Sequence, residues 1–354
     1  MPAARLEPLA SLTEPKRRSR VIRCALSGTP GPPTVIVKIF ERGGGTWTGR
    51  RARFENERAS LEFLSALGDP QLAPRLYAAH RTQLVLVMED LGSADTLVKP
   101  LLEGRRTDAG RRLLAWARCL GEQHARSAGK RRVFARIRGA LPPDRRPGRI
   151  DLTPLGLTID RAAERELADA RKTFASPGPF SAFTHDDPCP DNCFRDGDRY
   201  RFIDFEFGGF RHALLDGVYW HTQFPTCWCA NRVPLALVAK LEQVYREELA
   251  RGCPAALDDH AFDRAVVRAA FARTFDVFAY ASWWLDKDER WGIATVRQRL
   301  PTRFRSFATL ARSRGVYPAL ADLADRIAKA IDARFSPGPL PLYPAFRPSS
   351  TATA

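Results

Sequence analysis

No run in this 354-residue sequence is apolar for the length that a bilayer crossing requires. The first twenty residues, MPAARLEPLASLTEPKRRSR, also lack the apolar core of a signal peptide. Together these absences predict a cytosolic (cytoplasmic) protein without a membrane partner. Cysteine is sparse as well. Seven residues, an odd number, fit reduced thiols better than a disulfide framework in a chain of this size. Neither Cys189/Cys193 nor Cys227/Cys229 has the C-x-x-C spacing of common zinc sites, which makes a structural zinc the lesser reading. No zinc finger or RNP-type strand is present, so no dedicated nucleic-acid site is expected. The net charge of +16 would still favour an anionic ligand and non-specific contact with nucleic acid.

The length is sufficient for two lobes and a sizeable core, and the 44% hydrophobic content is ordinary for a globular chain. The most informative stretch is Phe183 to Gly208, FTHDDPCPDNCFRDGDRYRFIDFEFG, which reads as loop, short hairpin, loop. Pro188 and Pro190 exclude a regular helix or central strand over Thr184–Asn192. A turn at Asp196-Gly197-Asp198 then leads into Tyr200–Phe205, a strong hairpin signal. Such a hairpin would hold Asp187, Asn192 and Asp204 near one another at its open end. Phosphoryl transfer needs that set. One carboxylate orients the attacking hydroxyl and takes its proton, while a second carboxylate and an amide oxygen hold magnesium. Asp187 lies five residues before Asn192, the interval of the kinase catalytic loop. In the plainer reading Asp187 and Asp191 form turns and Asp204 ends a strand. That accounts for each residue singly and for the whole set poorly.

These residues resemble the aminoglycoside phosphotransferase and choline kinase superfamily, small-molecule kinases with a protein-kinase-like fold. The family loop reads H-G-D-x-x-x-x-N followed by I-D-(W/F). Here it reads His185-Asp186-Asp187-Pro188-Cys189-Pro190-Asp191-Asn192, then Ile203-Asp204-Phe205-Glu206. The Asp-Phe-Glu end is closer to the choline kinase side. Asp186 stands where relatives carry Gly, and register assigns the catalytic role to Asp187. The resemblance implies an α+β, two-lobed fold with a small β-rich N-lobe and a large, mostly helical C-lobe. It further implies ATP and Mg2+ as cofactors, with Asn192 and Asp204 as the metal ligands.

Elsewhere, Arg20–Leu26 and Thr34–Phe40 are strand-like runs joined by GTPGPP. The second resembles the kinase strand whose lysine, here Lys38, holds the α/β-phosphates. On the helical stretch Arg51–Leu67, Glu57, Leu61 and Leu64 share one face. An acid among leucines requires a partner, so Glu57 is assigned to Lys38, with Glu62 as the fallback. Ser11–Ser19 would supply the phosphate-covering loop without a glycine. Gln83–Met88 is suited to a buried strand, and Glu89-Asp90-Leu91-Gly92 breaks it as a hinge whose backbone at Glu89 and Leu91 would bond adenine; the alternative is an ordinary strand exit. His124 reads as a core histidine. Gly129–Ile150 reads as a basic surface excursion, and Gly208–Trp220 as the entry to a helix carrying Asp216, an acid that in the family supports the catalytic loop.

The acceptor pocket is expected in the helical C-terminal part. Glu206, Trp283 and Asp286 are candidate substrate contacts, the tryptophan suiting an amine through cation–π attraction. The plainer reading, core tryptophans beside a solvated DKDE turn, is preferred there. Residues 1–90 would form the ATP-binding N-lobe and 91–336 the C-lobe, with 337–354 a loose tail. The expected activity is phosphorylation of a hydroxyl on a small molecule: an antibiotic, amino alcohol, sugar or other hydroxylated metabolite. Polycationic aminoglycosides are disfavoured slightly by the chain's own charge. A protein kinase is the less favoured alternative, because no A-P-E-like segment follows Asp204. A kinase-like scaffold without catalysis would not need Lys38, Asp187, Asn192 and Asp204 together.

Overall fold

A computed structural model describes residues 4–13, 18–41, 49–92, 95–139, 149–175 and 177–348, with the side chains of 172–175, 280, 282 and 283 outside that description. The chain begins with an antiparallel five-stranded sheet of order β1-β2-β3-β5-β4. Its strands are β1 (Arg5–Ser11), β2 (Ser19–Ser27), β3 (Thr34–Phe40), β4 (Leu76–His80) and β5 (Val85–Glu89). The β2–β3 hairpin forms where expected, in a register that sets Val21 opposite Lys38 and Cys24 opposite Val35. Side chains alternate along a strand. Val35 and Val37 therefore share a small apolar cluster with Cys24. Ile36, Lys38 and Phe40 face the other way, toward helix α1 (Arg50–Ser65), and Phe40 meets Phe54 edge-on. That parity brings a lysine to the sheet–helix interface.

The helical part follows: α2 (Val98–Leu102), α3 (Arg106–Ser127), α4 (Arg131–Arg138) and α5 (Arg161–Ala175). Four short strands interrupt it, paired as β6 (Ser181–Thr184) with β9 (Gly209–His212) and β7 (Cys193–Asp196) with β8 (Arg199–Phe202). After them come α6 (Leu214–Gly217), α7 (Leu235–Ala250), α8 (Asp259–Phe275) and α9 (Ser282–Leu285). A two-residue pair, β10 (Arg290–Trp291) with β11 (Ala294–Thr295), precedes α10 (Val296–Ser313) and α11 (Pro318–Phe335). Helix α10 opens with a capping box of Thr295 and Gln298. The fold is mixed α+β, a sheet-rich N-terminal region beside a helical C-terminal half, as expected. Among the described residues no helix is long and apolar enough to cross a membrane.

Three segments differ from the sequence reading. Gly208–Trp220 contributes strand β9 and only a four-residue helix. The basic stretch after Gly129 contains α4, whose Phe134 is fully buried against Phe63 and whose Arg138 donates to Asn56 Oδ1 at 2.6 Å; residues 140–148 lie outside the described set. The C-terminal segment expected to be loose is docked at least through Phe346. Leu340, Tyr343 and Phe346 are buried, and the Tyr343 N–H donates to the Arg232 carbonyl at 3.0 Å. Its Pro-rich composition hid three apolar anchors.

Candidate active site

The loop after β6 is held from beneath by one buried carboxylate. Asp216 Oδ2 accepts the His185 N–H at 2.7 Å and Oδ1 accepts the Asp186 N–H at 3.1 Å. His124, fully buried on α3, lies 3.3 Å from Asp216 and 2.8 Å from the Tyr245 hydroxyl, so it is a satisfied core residue. His185 Nε2 donates to the Ile203 carbonyl at 2.7 Å, while Nδ1 takes the Asp187 N–H at 3.3 Å. Those partners assign a neutral tautomer. Burial agrees, holding the His185 pKa below its ordinary value against the pull of Asp216.

Asp186 adopts φ 72°, the left-handed conformation that favours Gly and is tolerated by Asp and Asn. The side chain that Gly would lack is used. Asp186 Oδ1 accepts from Arg273 Nη2 on α8 at 2.7 Å, and the same guanidinium reaches Asp216 at 3.4 Å. Although burial pushes Asp186 upward, Arg273 and Arg211 outweigh it and hold its pKa low. The departure from the family pattern is therefore a compensated one, and Asp186 faces Arg273.

Asp187 is the neighbouring acid. Its Oδ1 accepts the Thr226 hydroxyl at 2.5 Å, and Asn192 Nδ2 donates to its carbonyl at 3.0 Å and to Oδ2 at 3.4 Å. Burial raises the Asp187 pKa to about 7; Thr226 opposes the shift, and Asp204, Asp191 and Asp186 add to it. With Nδ2 so engaged, the Asn192 amide oxygen is the atom left to accept or to ligate. The β7–β8 hairpin then brings Asp204 alongside, because Cys193 pairs with Phe202 and the Ile203 N–H donates to the Asn192 carbonyl at 2.9 Å.

Lys38 completes the cluster. Its Nζ lies 2.6 Å from Glu57 on α1 and 2.6 Å from Asp204 Oδ1, bridging the sheet region to the hairpin. Burial alone would depress Lys38, but Asp204, Glu57 and Glu206 together hold its pKa above the ordinary value. Asp204, at φ 63°, keeps two-fifths of its side chain exposed, and Lys38 holds its pKa low despite burial. An ionised carboxylate beside a free amide oxygen fits a hard divalent cation, with phosphates and water supplying the remaining ligands. Among the described residues no group of three or more His, Cys, Asp and Glu side chains makes a self-contained metal site. Glu62 is instead paired with Arg58 at 2.6 Å.

Of the remaining candidates, Glu206 is buried 3.3 Å from Arg53 of α1, near enough to Lys38 and Asp204 to act on both electrostatically. Glu89 ends β5, and its side chain is paired with Arg201, Oε1 at 2.9 Å from Nη1, while its N–H donates to the Arg75 carbonyl. Leu91 follows β5 by two residues, and no backbone partner is found for it among the described residues. Asp286 is exposed; the side chain of Trp283 lies outside the described residues, as do Glu14–Arg17 of the expected phosphate-covering stretch. Trp284 is buried core.

The cysteines require a correction. Cys189 and Cys227 form a disulfide, their Cα atoms 5.5 Å apart, while Cys24, Cys119, Cys193, Cys229 and Cys253 are free and buried. Pairs close in sequence were weighed, whereas the bond joins one member of each. Thr226, Arg273 and Trp228 were also missed. Each reaches the loop from a distant segment that carries no recognisable motif.

The description Phosphotransferase enzyme family matches residues 22–254, and this chain belongs to that family. Among solved structures, a candidate aminoglycoside phosphotransferase from Ralstonia eutropha is 14% identical, with 90% of this chain and 93% of that one covered and a TM-score of 0.50. An ethanolamine kinase from Plasmodium vivax is 10% identical over 87% and 83% of the two chains, TM-score 0.49. A choline kinase from Cryptosporidium parvum is 12% identical over 94% and 92%, TM-score 0.47. No curated protein matches the chain. The likeness of the first shows the fold alone, the two-lobed protein-kinase-like one.

Proposed function

We propose that this phosphotransferase uses ATP and Mg2+ to phosphorylate a hydroxyl of a small molecule, with the nucleotide bound by an N-lobe ending near residue 90 and the acceptor by the lobe that follows. The observation that carries the reading is Lys38 bridging Glu57 and Asp204 while Asp187 and Asn192 lie on the loop that leads into the β7–β8 hairpin. In this reading Lys38 meets the phosphate oxygens, and the Leu91 backbone, two residues beyond β5, meets the purine. Asn192 and Asp204 would hold Mg2+, which when bound neutralises charge on the β/γ-phosphate oxygens. Asp187 orients the acceptor hydroxyl and takes its proton as the new P–O bond forms and the bond to the ADP oxygen breaks.

Calorimetric titration with ATP tests the first half of this proposal. Binding is expected to require Mg2+, to weaken strongly in Lys38→Ala, and to weaken more in Asp204→Ala than in Asn192→Ala, because a carboxylate brings charge as well as an oxygen. Equal binding with and without Mg2+ would remove Asn192 and Asp204 from the metal role. Consumption of ATP across hydroxylated metabolites and antibiotics then identifies the acceptor.

A further inference from the structure

The segment Pro225–Cys229, PTCWC, has no part in the reading above, yet it touches the catalytic loop at three successive residues. Thr226 donates to Asp187 Oδ1 at 2.5 Å, Cys227 is bonded to Cys189, and Trp228 Nε1 donates to Asp191 Oδ2 at 2.8 Å. The segment is itself seated from behind. Arg299 Nη1 donates to the Cys227 carbonyl at 2.6 Å and Nη2 to the Trp228 carbonyl at 3.1 Å, while Arg303 reaches the Pro225 carbonyl at 3.2 Å. Both side chains are over nine-tenths buried; Arg299 Nη2 also reaches the Trp291 and Ala294 carbonyls, so it ties the strap to the β10–β11 pair as well as to α10. Buried charges are retained only where such partners exist. The strap is thus held between α10 and the loop, and it meets the loop on either side of Pro188–Pro190.

We propose that this strap is part of the catalytic machinery: Thr226 is a positioning residue that sets the orientation of Asp187, and the Cys189–Cys227 bond keeps Thr226 in place, so that turnover depends on the thiol–disulfide state of that pair. A carboxylate oxygen has two acceptor positions. Thr226 donates to Oδ1, against which Cys189 Sγ also lies at 3.0 Å, and the two contacts fix the rotamer; Oδ2, 3.4 Å from Asn192 Nδ2, is then the oxygen proposed to meet an incoming hydroxyl. The Thr226 hydroxyl also lies 3.0 Å from the Tyr219 hydroxyl and within 3.3 Å of Cys189 Sγ, so its own position is confined on two sides. Cys189 stands two residues after the base and three before Asn192, the one covalent tie between this loop and the strap. The other five cysteines are free and buried.

Reduction is an exchange with a dithiol. One reductant thiolate attacks a sulfur of the bond, giving a mixed disulfide and one free cysteine thiol. The second reductant thiol resolves it, so that two electrons pass from the dithiol and two cysteine thiols result. Both cysteines are at most 2% exposed, so exchange follows lifting of the strap.

This inference rests on the phosphotransferase reading, and the experiment separates the two. The full chain is prepared oxidised with glutathione disulfide or reduced with dithiothreitol, each state verified by alkylation and intact mass. Hydrogen exchange over residues 185–193, affinity for Mg2+–ATP, and kcat are then measured. Reduction is expected to speed exchange in that loop, leave nucleotide affinity unchanged and lower kcat roughly ten- to a hundredfold, the scale of a small misplacement of a reacting group. Cys227→Ser should reproduce the reduced enzyme and no longer respond to reductant. Thr226→Val should lower kcat at constant KM for ATP, and Thr226→Ser should restore it. Identical exchange and kcat in both states, or a reductant response that survives in Cys227→Ser, overturns the proposal. Absence of Mg2+–ATP binding in both states overturns the phosphotransferase reading instead, and the exchange result then stands alone.

Discussion

Asp187 and Asp186 are adjacent acids with opposite environments. Desolvation and neighbouring carboxylates lift Asp187 to about 7, whereas Arg273 holds Asp186 ionised. The chemistry needs the ionised form of Asp187, so kcat/KM should fall as pH drops through about 7, and at a lower pH once bound cation favours the carboxylate. For stability the sign is reversed. A carboxyl whose folded pKa is raised stabilises the fold while protonated, and that contribution is lost as pH rises through the folded value. Asp187→Asn should therefore melt at or above the wild-type temperature at pH above 7 without nucleotide, while kcat drops by about 10²–10⁴-fold and Mg2+–ATP affinity holds. A Tm well below wild type would show that the carboxylate is structural. Asp186→Asn keeps a residue tolerant of φ 72° but deprives Arg273 of one counter-charge; it should cost about 1–2 kcal/mol in a denaturant melt, well short of a fully buried broken pair because Asp216 remains. The loop that carries His185, Asp187 and Asn192 was legible because the three lie within eight residues. Arg273 is 87 residues from Asp186, and no local pattern announces it.

At the level of elements, the catalytic loop depends on how closely α3 and α7 approach. A Cβ on Gly121 would lie 2.7 Å from the Tyr245 carbonyl oxygen, and one on Gly252 would lie 2.0 Å from the Ala125 carbonyl oxygen. The close contact sets Tyr245 against His124 and, through it, Asp216 beneath the loop. Gly252→Ala should destabilise the protein by about 1–3 kcal/mol, the cost of overpacking. A calorimetric Tm unchanged from wild type would show that the helices can move apart freely. Different local signals made these elements legible: β-branched residues for β3, one-faced helical spacing for α1, a continuous apolar run for β5 and the Asp196-Gly197 turn for the β7–β8 hairpin. Strand β1 is exposed along its whole length and so has no alternation to read. Gly208–Trp220, read as the entry to a helix, yields only four helical residues.

Over the whole molecule, contacts between the sheet region and the helical region converge on the proposed reaction centre. Lys38 meets Asp204, Arg53 meets Glu206, the Asn56 amide donates to the Glu206 carbonyl, and Arg201 meets Glu89. Composition told the net charge, and the resemblance of the His185–Asn192 and Ile203–Glu206 motifs told the fold class; neither told the acceptor. The central claim is tested most directly by following γ-labelled ATP with Mg2+ through a panel of small hydroxylated compounds, wild type beside Asp187→Asn. The account predicts that label passes to a small-molecule hydroxyl, only with Mg2+, and that Asp187→Asn binds the nucleotide yet transfers little of it. Label that remains on ATP for every compound, or that Asp187→Asn transfers as fast as wild type, would contradict it.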